Sequence, residues 1–409
     1  MDTNTRLENL RSEFPLLASM PELAYLDSAA TSQKPAAVLA AITDFYTTSN
    51  ANVHRGLYPL SEKSTAMYES ARETVAKFIG AKPNNVIFTS GSTHSANQAA
   101  LLLKKYLQPG DIILSWVADH HSEFLPLQRI ASESGAIQKL LEVTTDGNLD
   151  YEQLAIELKS SQVKILALPS INNVLGTQTD LAKVSALIKE FSPNCKFMVD
   201  LAQHAGYKNL NVLELGIDIG FFSGHKMFAE TGIGVLFATN EILNPLNPIF
   251  LGGGMIAGVS QNKTTFLPAP AGYEAGTPNI AGAISLAAAC NYFSELGLNN
   301  ISAKIAELMA YLIDNLKTVS DLAILGSQEA STHSSIASFF VQGVHPHDIA
   351  DVLGQNGVAV RAGHHCNQIL HREVLQIPAS VRVSLHAYNT KKDIDKLIVE
   401  LNKAITLLK

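Results

Sequence analysis

The sequence predicts an α/β protein: a mostly parallel sheet covered by helices, followed by a smaller α+β unit. Two observations carry the first half of that statement. Up to Asn240, short apolar runs, often β-branched, alternate with helical patterns, the order expected of a parallel sheet with helical crossovers. The strand-like runs are Asn85–Thr89 (NVIFT), Asp111–Ser115 (DIILS), Lys164–Leu168 (KILAL), Lys196–Asp200 (KFMVD) and Gly234–Ala238 (GVLFA), with helical segments such as Thr93–Tyr106 and Asp180–Glu190 between them. The second half rests on a change of pattern. Gly252–Gly276 is rich in Gly and Pro and reads as a long functional loop. An Ala-rich helix over Ile280–Phe293 follows it. From Asn300 onward come a helix, a strand (Ser335–Val341), a helix (Pro346–Asn356), a further strand and a terminal helix from Thr390. That mixed order is the mark of an α+β unit.

Bulk properties narrow the function classes. The chain has 409 residues, 46% of them hydrophobic and 16% charged, enough for large buried cores. A net charge of −7 argues against nucleic-acid binding, since phosphate-backbone binders are usually basic. The first residues, MDTNTRLENLRSEF, contain acids and no apolar core, so no signal peptide is expected. No continuous apolar stretch is long enough to cross a membrane. The three cysteines, Cys195, Cys290 and Cys366, are far apart and odd in number. A disulfide framework is therefore not expected, and a reducing cytoplasmic setting is.

Two clusters carry chemistry. Asp200 closes a strand, where ligands of open α/β sheets gather, and Gln203 lies just beyond it. A carboxylate there can pair with a protonated pyridine nitrogen, as enzymes using pyridoxal phosphate require. Lys226, in Phe222-Ser223-Gly224-His225-Lys226, can bond the cofactor aldehyde. Ser223 and His225 flank it and can donate to a phosphate. Gly91-Ser92-Thr93 lies between a strand and a helix, where backbone N–H groups and hydroxyls can hold a dianion. Taken singly, each has a bland reading: a Gly-Ser-Thr turn is most often an N-cap, and His120-His121 alone reads as a surface pair. Their order along the chain is what points to one site. The second cluster is Arg361-Ala362-Gly363-His364-His365-Cys366, which reads as a mobile loop with a nucleophilic thiol. Arg361, His364 and His365 are expected to make it electropositive. Cys290 sits in an apolar helix and Cys195 lacks basic neighbours, so Cys366 is the candidate nucleophile.

In this order the motifs resemble the class V, fold-type-I enzymes that use pyridoxal phosphate, and more narrowly the group II (SufS/CsdA-type) cysteine desulfurases. The matching stretches are Tyr25–Thr31, Asn52–Arg55, His120-His121, Asn173–Thr177, Ser223–Lys226, Thr231–Gly234, Leu251–Gly254, Glu274–Asn279, the Cys366 segment and Tyr388–Thr390. The resemblance implies a large domain over 19–294 with a seven-stranded sheet, and a small α+β domain from 1–18 and 295–409 that carries the Cys366 loop. It implies that Lys226 holds the cofactor and moves the substrate α-proton. Asp200 would pair with the pyridine nitrogen, Gln203 would bond the ring hydroxyl, and His120 would stack on the ring and help move protons. Asn173 would lie near ring and substrate, and Ser92, Thr93, Ser223 and His225 would hold the phosphate. Thr277 would reach the phosphate of a neighbouring subunit, which implies a homodimer. Arg382, helped by Arg361, would clamp the substrate carboxylate, a task suited to a guanidinium fork. The implied reaction converts L-cysteine to L-alanine and leaves a persulfide on Cys366. A SufE- or CsdE-like acceptor would then take the sulfur toward iron–sulfur cluster assembly. Selenocysteine lyase, another β-lyase and aminotransferase chemistry are the alternatives on the same fold. No metal is implied. The chain departs from the usual pattern at His94, Leu201, Ala229-Glu230, Leu127, Asn367 and His386.

Overall fold

The computed structural model describes residues 3–244 and 247–409. Seven strands form the central sheet: β1 (Val86–Thr89), β2 (Ile112–Trp116), β3 (Ile137–Leu141), β4 (Val163–Pro169), β5 (Lys196–Asp200), β6 (Ile219–Ser223) and β7 (Gly234–Ala238). Their order is β1-β7-β6-β5-β4-β2-β3. Only β7 runs against the rest. Strands β5, β6 and β7 are buried throughout, which is why β5 and β7 read as continuous apolar runs rather than alternating ones. The register sets Asp200 beside Pro169 of β4 and Phe221 of β6, so the carboxyl ends of three strands converge on one edge.

Helix α1 (Ser92–Leu103) leaves β1 through Gly91, and α2 (His121–Ser134) follows β2. The Ala-rich α3 (Ile280–Leu296) is longer than its sequence signal and buried along most of its length. Small side chains let it pack closely against helices Ala36–Thr48 and Pro59–Phe78. Helices α4 (Leu298–Leu316) and α5 (Pro346–Gln355) both pack against α6 (Lys391–Leu408), and α5 also lies on a second, antiparallel sheet. Its strands are β8 (Leu322–Ile324), β9 (Ile336–Val341), β10 (Arg361–Gly363) and β11 (Ser380–Ser384), in the order β8-β9-β11-β10. Thr390 begins α6 with a capping box to Asp393.

Two strands that the sequence reading does not single out complete the sheet: β6, which leads into Lys226, and the edge strand β3. The long Gly-rich segment is not wholly irregular, since Ile256–Val259 and Thr264–Phe266 pair as a hairpin. Among the described residues, no helix is long and apolar enough to cross a membrane.

Candidate active site

A cavity of about 230 Å³ opens at the carboxyl ends of β4, β5 and β6, between the two sheets. It brings together Ser92, Thr93, His120, Asn173, Asp200, Gln203, Ser223, His225, Lys226, Arg361, Cys366 and Arg382. Of the sequence candidates, only Thr277 stands apart. It lines a second cavity of about 350 Å³ with His94 and Phe250.

One end of the site is built from glycine and hydroxyls. Gly91, at φ 148°, turns the chain from β1 into α1. Ser92 N donates to Ser223 Oγ at 2.7 Å, and the two serine hydroxyls lie 2.8 Å apart. Beneath them β7 passes so close that a Cβ on Gly234 would stand 2.5 Å from the Gly91 Cα. The result is a hydroxyl-lined concavity at the N-terminus of a twelve-residue helix, a geometry that favours an anion. Asp200 lies deeper, with Oδ1 accepting from Ala202 N at 2.8 Å. Burial pushes the Asp200 carboxyl up, and Lys226 pulls it back. Burial likewise pushes the Lys226 ammonium down, opposed by Asp200. A carboxylate at one end, an amine that burial biases toward its neutral form and a phosphate-sized cradle at the other fit pyridoxal phosphate.

The histidines of the site are neutral. Burial, then Lys226, brings His120 down to about 3. Its Nδ1 accepts from Ser122 N at 3.1 Å and meets Ser122 Oγ at 2.7 Å, so the ring hydrogen resides on Nε2. His225 falls to about 4 and His365 to about 2, both chiefly by burial. This corrects one expectation: burial leaves His365 no positive charge to lend the thiol, while the Arg361 and Arg382 guanidinium groups line the same cavity as Cys366. Arg382 is held by Asn173 O at 3.1 Å and Asp27 Oδ1 at 3.3 Å.

The Cys366 loop, read from the sequence as mobile, is tied to the body of the protein by hydrogen bonds. Cys366 O accepts from His121 N at 2.9 Å. Asn173 Nδ2 donates to His365 O at 2.7 Å, and Asn367 Nδ2 to Ala118 O at 2.6 Å. Asn367, one of the departures noted in the sequence, is thus an anchor. These ties hold His365 and Cys366 at φ 51° and 57°, left-handed conformations that cost non-glycine residues on the order of 1–3 kcal/mol each. Cys366 is exposed to the cavity, whereas Cys195 and Cys290 are buried and burial pushes their thiols up.

The sequence reading missed three acids. Asp27 salt-bridges Arg382. Asp119 and Glu123 are buried near Asp200, and neither Glu123 oxygen has a hydrogen-bond partner among the described residues. No sequence signal separates Glu123 from an ordinary acid in the first turn of a helix.

Such a site, on this sheet, defines a class of enzyme built to bind pyridoxal phosphate at strand ends. Comparison with known proteins agrees: residues 24–397 match the aminotransferase class-V family model, and the chain belongs to that family. A cysteine desulfurase of Cronobacter sakazakii is 38% identical over 98% of this chain and 99% of its own. The apo cysteine desulfurase of Thermococcus onnurineus is 34% identical, with a TM-score of 0.93 over 98% of both chains. The cysteine desulfurase CsdA of Escherichia coli is 36% identical, with a TM-score of 0.90 over 98% of this chain and 99% of its own. Within its family, then, the chain belongs with the cysteine desulfurases.

Proposed function

We propose that the protein takes sulfur from L-cysteine through Cys366 and passes it to an acceptor thiol, with pyridoxal phosphate as cofactor. The observation that supports this most is the placement of the exposed Cys366 thiol in the same cavity as Lys226, Asp200 and Arg382. Ser92, Thr93, Ser223 and His225 would hold the cofactor phosphate, Asp200 its ring nitrogen, Gln203 its ring hydroxyl and Lys226 its aldehyde. Bound there, the cofactor supplies an electron sink for the substrate α-carbon.

The chain's own residues do the rest. Arg382 grips the substrate carboxylate, and Asn173 and Asp27 hold that guanidinium in place. Lys226 takes the α-proton, a role that its burial-lowered basicity suits. His120 covers the site as a neutral ring and presents Nε2–H. Cys366 sulfur attacks the substrate sulfur: an S–S bond forms as the carbon–sulfur bond breaks, and the electron pair leaves with carbon. Protonation of that carbon gives alanine. Cysteine and the Cys366 thiol thus become alanine and a Cys366 persulfide, with no external oxidant or reductant. A SufE- or CsdE-like protein is the proposed acceptor, and iron–sulfur cluster assembly in the cytoplasm the proposed destination. The working unit is a homodimer in which Thr277 serves the neighbouring subunit.

Two readouts on one sample test this. Protein given pyridoxal phosphate and L-cysteine should form alanine and add one sulfur to the Cys366 peptide by mass. Cys366→Ala should abolish both. Pyruvate and free sulfide persisting in Cys366→Ala would make the protein a lyase. Activity confined to L-selenocysteine would make it a selenocysteine lyase.

A further inference from the structure

The nucleophile loop and the carboxylate-clamp strand are joined by a chain of side chains. Backbone pairing between β10 and β11 ends at Gly363 and Ser380, and the loop leaves the sheet there. Side chains continue the connection. Ser380 Oγ lies 2.9 Å from His371 Nε2 and 3.1 Å from His365 Nε2. His371 Nδ1 lies 2.8 Å from Asn367 O, and His365 Nε2 also lies 3.2 Å from Ser380 O.

The partners fix the hydrogens. A carbonyl only accepts, so His371 carries its hydrogen on Nδ1 and His365 on Nε2. His371 Nε2 is then an acceptor and takes the Ser380 hydroxyl hydrogen, while Ser380 Oγ accepts from His365. The chain runs in one direction, from His365 through Ser380 and His371 to Asn367, and all four residues are buried. His371 sits in a π-helical turn, Leu370–Val374, a form frequent at functional sites. At the head of the chain two buried atoms of complementary character lack partners among the described residues: His365 Nδ1, an acceptor, and Arg382 Nε, a donor. Asn367, at the other end, anchors the loop to Ala118.

We propose that Ser380 and His371 are positioning residues, which hold the Cys366 thiol and the Arg382 guanidinium at a fixed separation so that one rigid unit grips both ends of the substrate. This rests on the reading of Cys366 as nucleophile and Arg382 as clamp.

The test is Ser380→Ala, with Ser338→Ala as control. Ser338, on β9, likewise donates a buried hydroxyl hydrogen, here to Val174 O at 2.6 Å, and makes no hydrogen bond to the loop. Cys366 is the one exposed cysteine, so iodoacetamide alkylation of the native chain without cofactor reports on the loop alone. Ser380→Ala should speed alkylation about fivefold to tenfold, the effect of one lost hydrogen bond. In the enzyme loaded with pyridoxal phosphate it should raise KM for L-cysteine and lower kcat. Ser338→Ala should lower the melting temperature and leave the alkylation rate as in wild type. An unchanged alkylation rate in Ser380→Ala overturns the proposal, as does an equal acceleration in Ser338→Ala. Failure of wild-type protein to release alanine would sink the desulfurase reading, while the alkylation rates would still decide whether the loop is tied.

Discussion

Glu123 is an ionisable side chain with no place for its charge. It lies in the first turn of α2, fully buried, and neither oxygen has a hydrogen-bond partner among the described residues. Burial, then Asp119 and Asp200, raise its carboxyl well above the ordinary value of 4.5. A raised acid binds its proton more tightly folded than unfolded. Its contribution to stability is therefore complete below pH 4.5 and is lost as pH rises. Glu123→Gln should raise the melting temperature of the cofactor-free chain at pH 8, and the gain should vanish toward pH 4. A melting curve that shifts equally at both pH values would show that Glu123 carries no buried charge cost. The same residue marks the limit of sequence legibility at this scale. Lys226, Asp200 and Cys366 were visible because their neighbours are diagnostic in order. Glu123 was not, because only the fold shows that its turn faces the interior. The expected charge on His365 failed for the same reason: a histidine beside a reactive cysteine reads as a cation until its burial is known.

At the scale of elements, the anion cradle is a contact between β7 and the turn that starts α1. Gly234 permits it: a Cβ there would stand 2.5 Å from Gly91 Cα and 2.8 Å from Gly91 N, closer than backbone can tolerate. Gly234→Ala should push the Gly91-Ser92 turn away from Ser223 and weaken pyridoxal phosphate binding roughly tenfold or more, the size expected when hydrogen bonds to a charged group are lost. Fluorescence titration with the cofactor would measure it, and an unchanged affinity would place the phosphate elsewhere. The elements themselves were largely legible. Strands Lys196–Asp200 and Gly234–Ala238 stand where their apolar runs predicted, since fully buried strands leave an unbroken signature. Strand β3 alternates in exposure at the sheet edge, so its signal is weaker. The pinning of the Cys366 loop was illegible because its anchors, Ala118, His121 and Asn173, come from elements far away in the chain.

For the molecule as a whole, the odd residue is Thr277, the one site candidate outside the central cavity. The segment that leads into it is held firmly. Glu274, three residues before it, accepts from Arg72 Nη1 at 2.6 Å, Arg72 Nη2 at 2.9 Å, Tyr68 Oη at 2.8 Å and Phe88 N at 2.7 Å. Arg72 is itself almost wholly buried, and a buried, fully paired charge of this kind fixes geometry. Thr277 is therefore presented at the surface on a rigid base, beside exposed Phe250 and in a cavity its own chain leaves open. Leu251, next along the chain, is an exposed apolar side chain as well, a composition suited to contact with another protein. In the proposed homodimer this hydroxyl completes the partner's phosphate site. Thr277→Val, which keeps the shape and removes the hydroxyl, should then weaken cofactor affinity roughly tenfold or more while sedimentation equilibrium still shows a dimer. A monomer at micromolar concentration would remove the basis for a shared site. A dimer with unchanged affinity would leave the shared interface standing and assign Thr277 to it rather than to the phosphate.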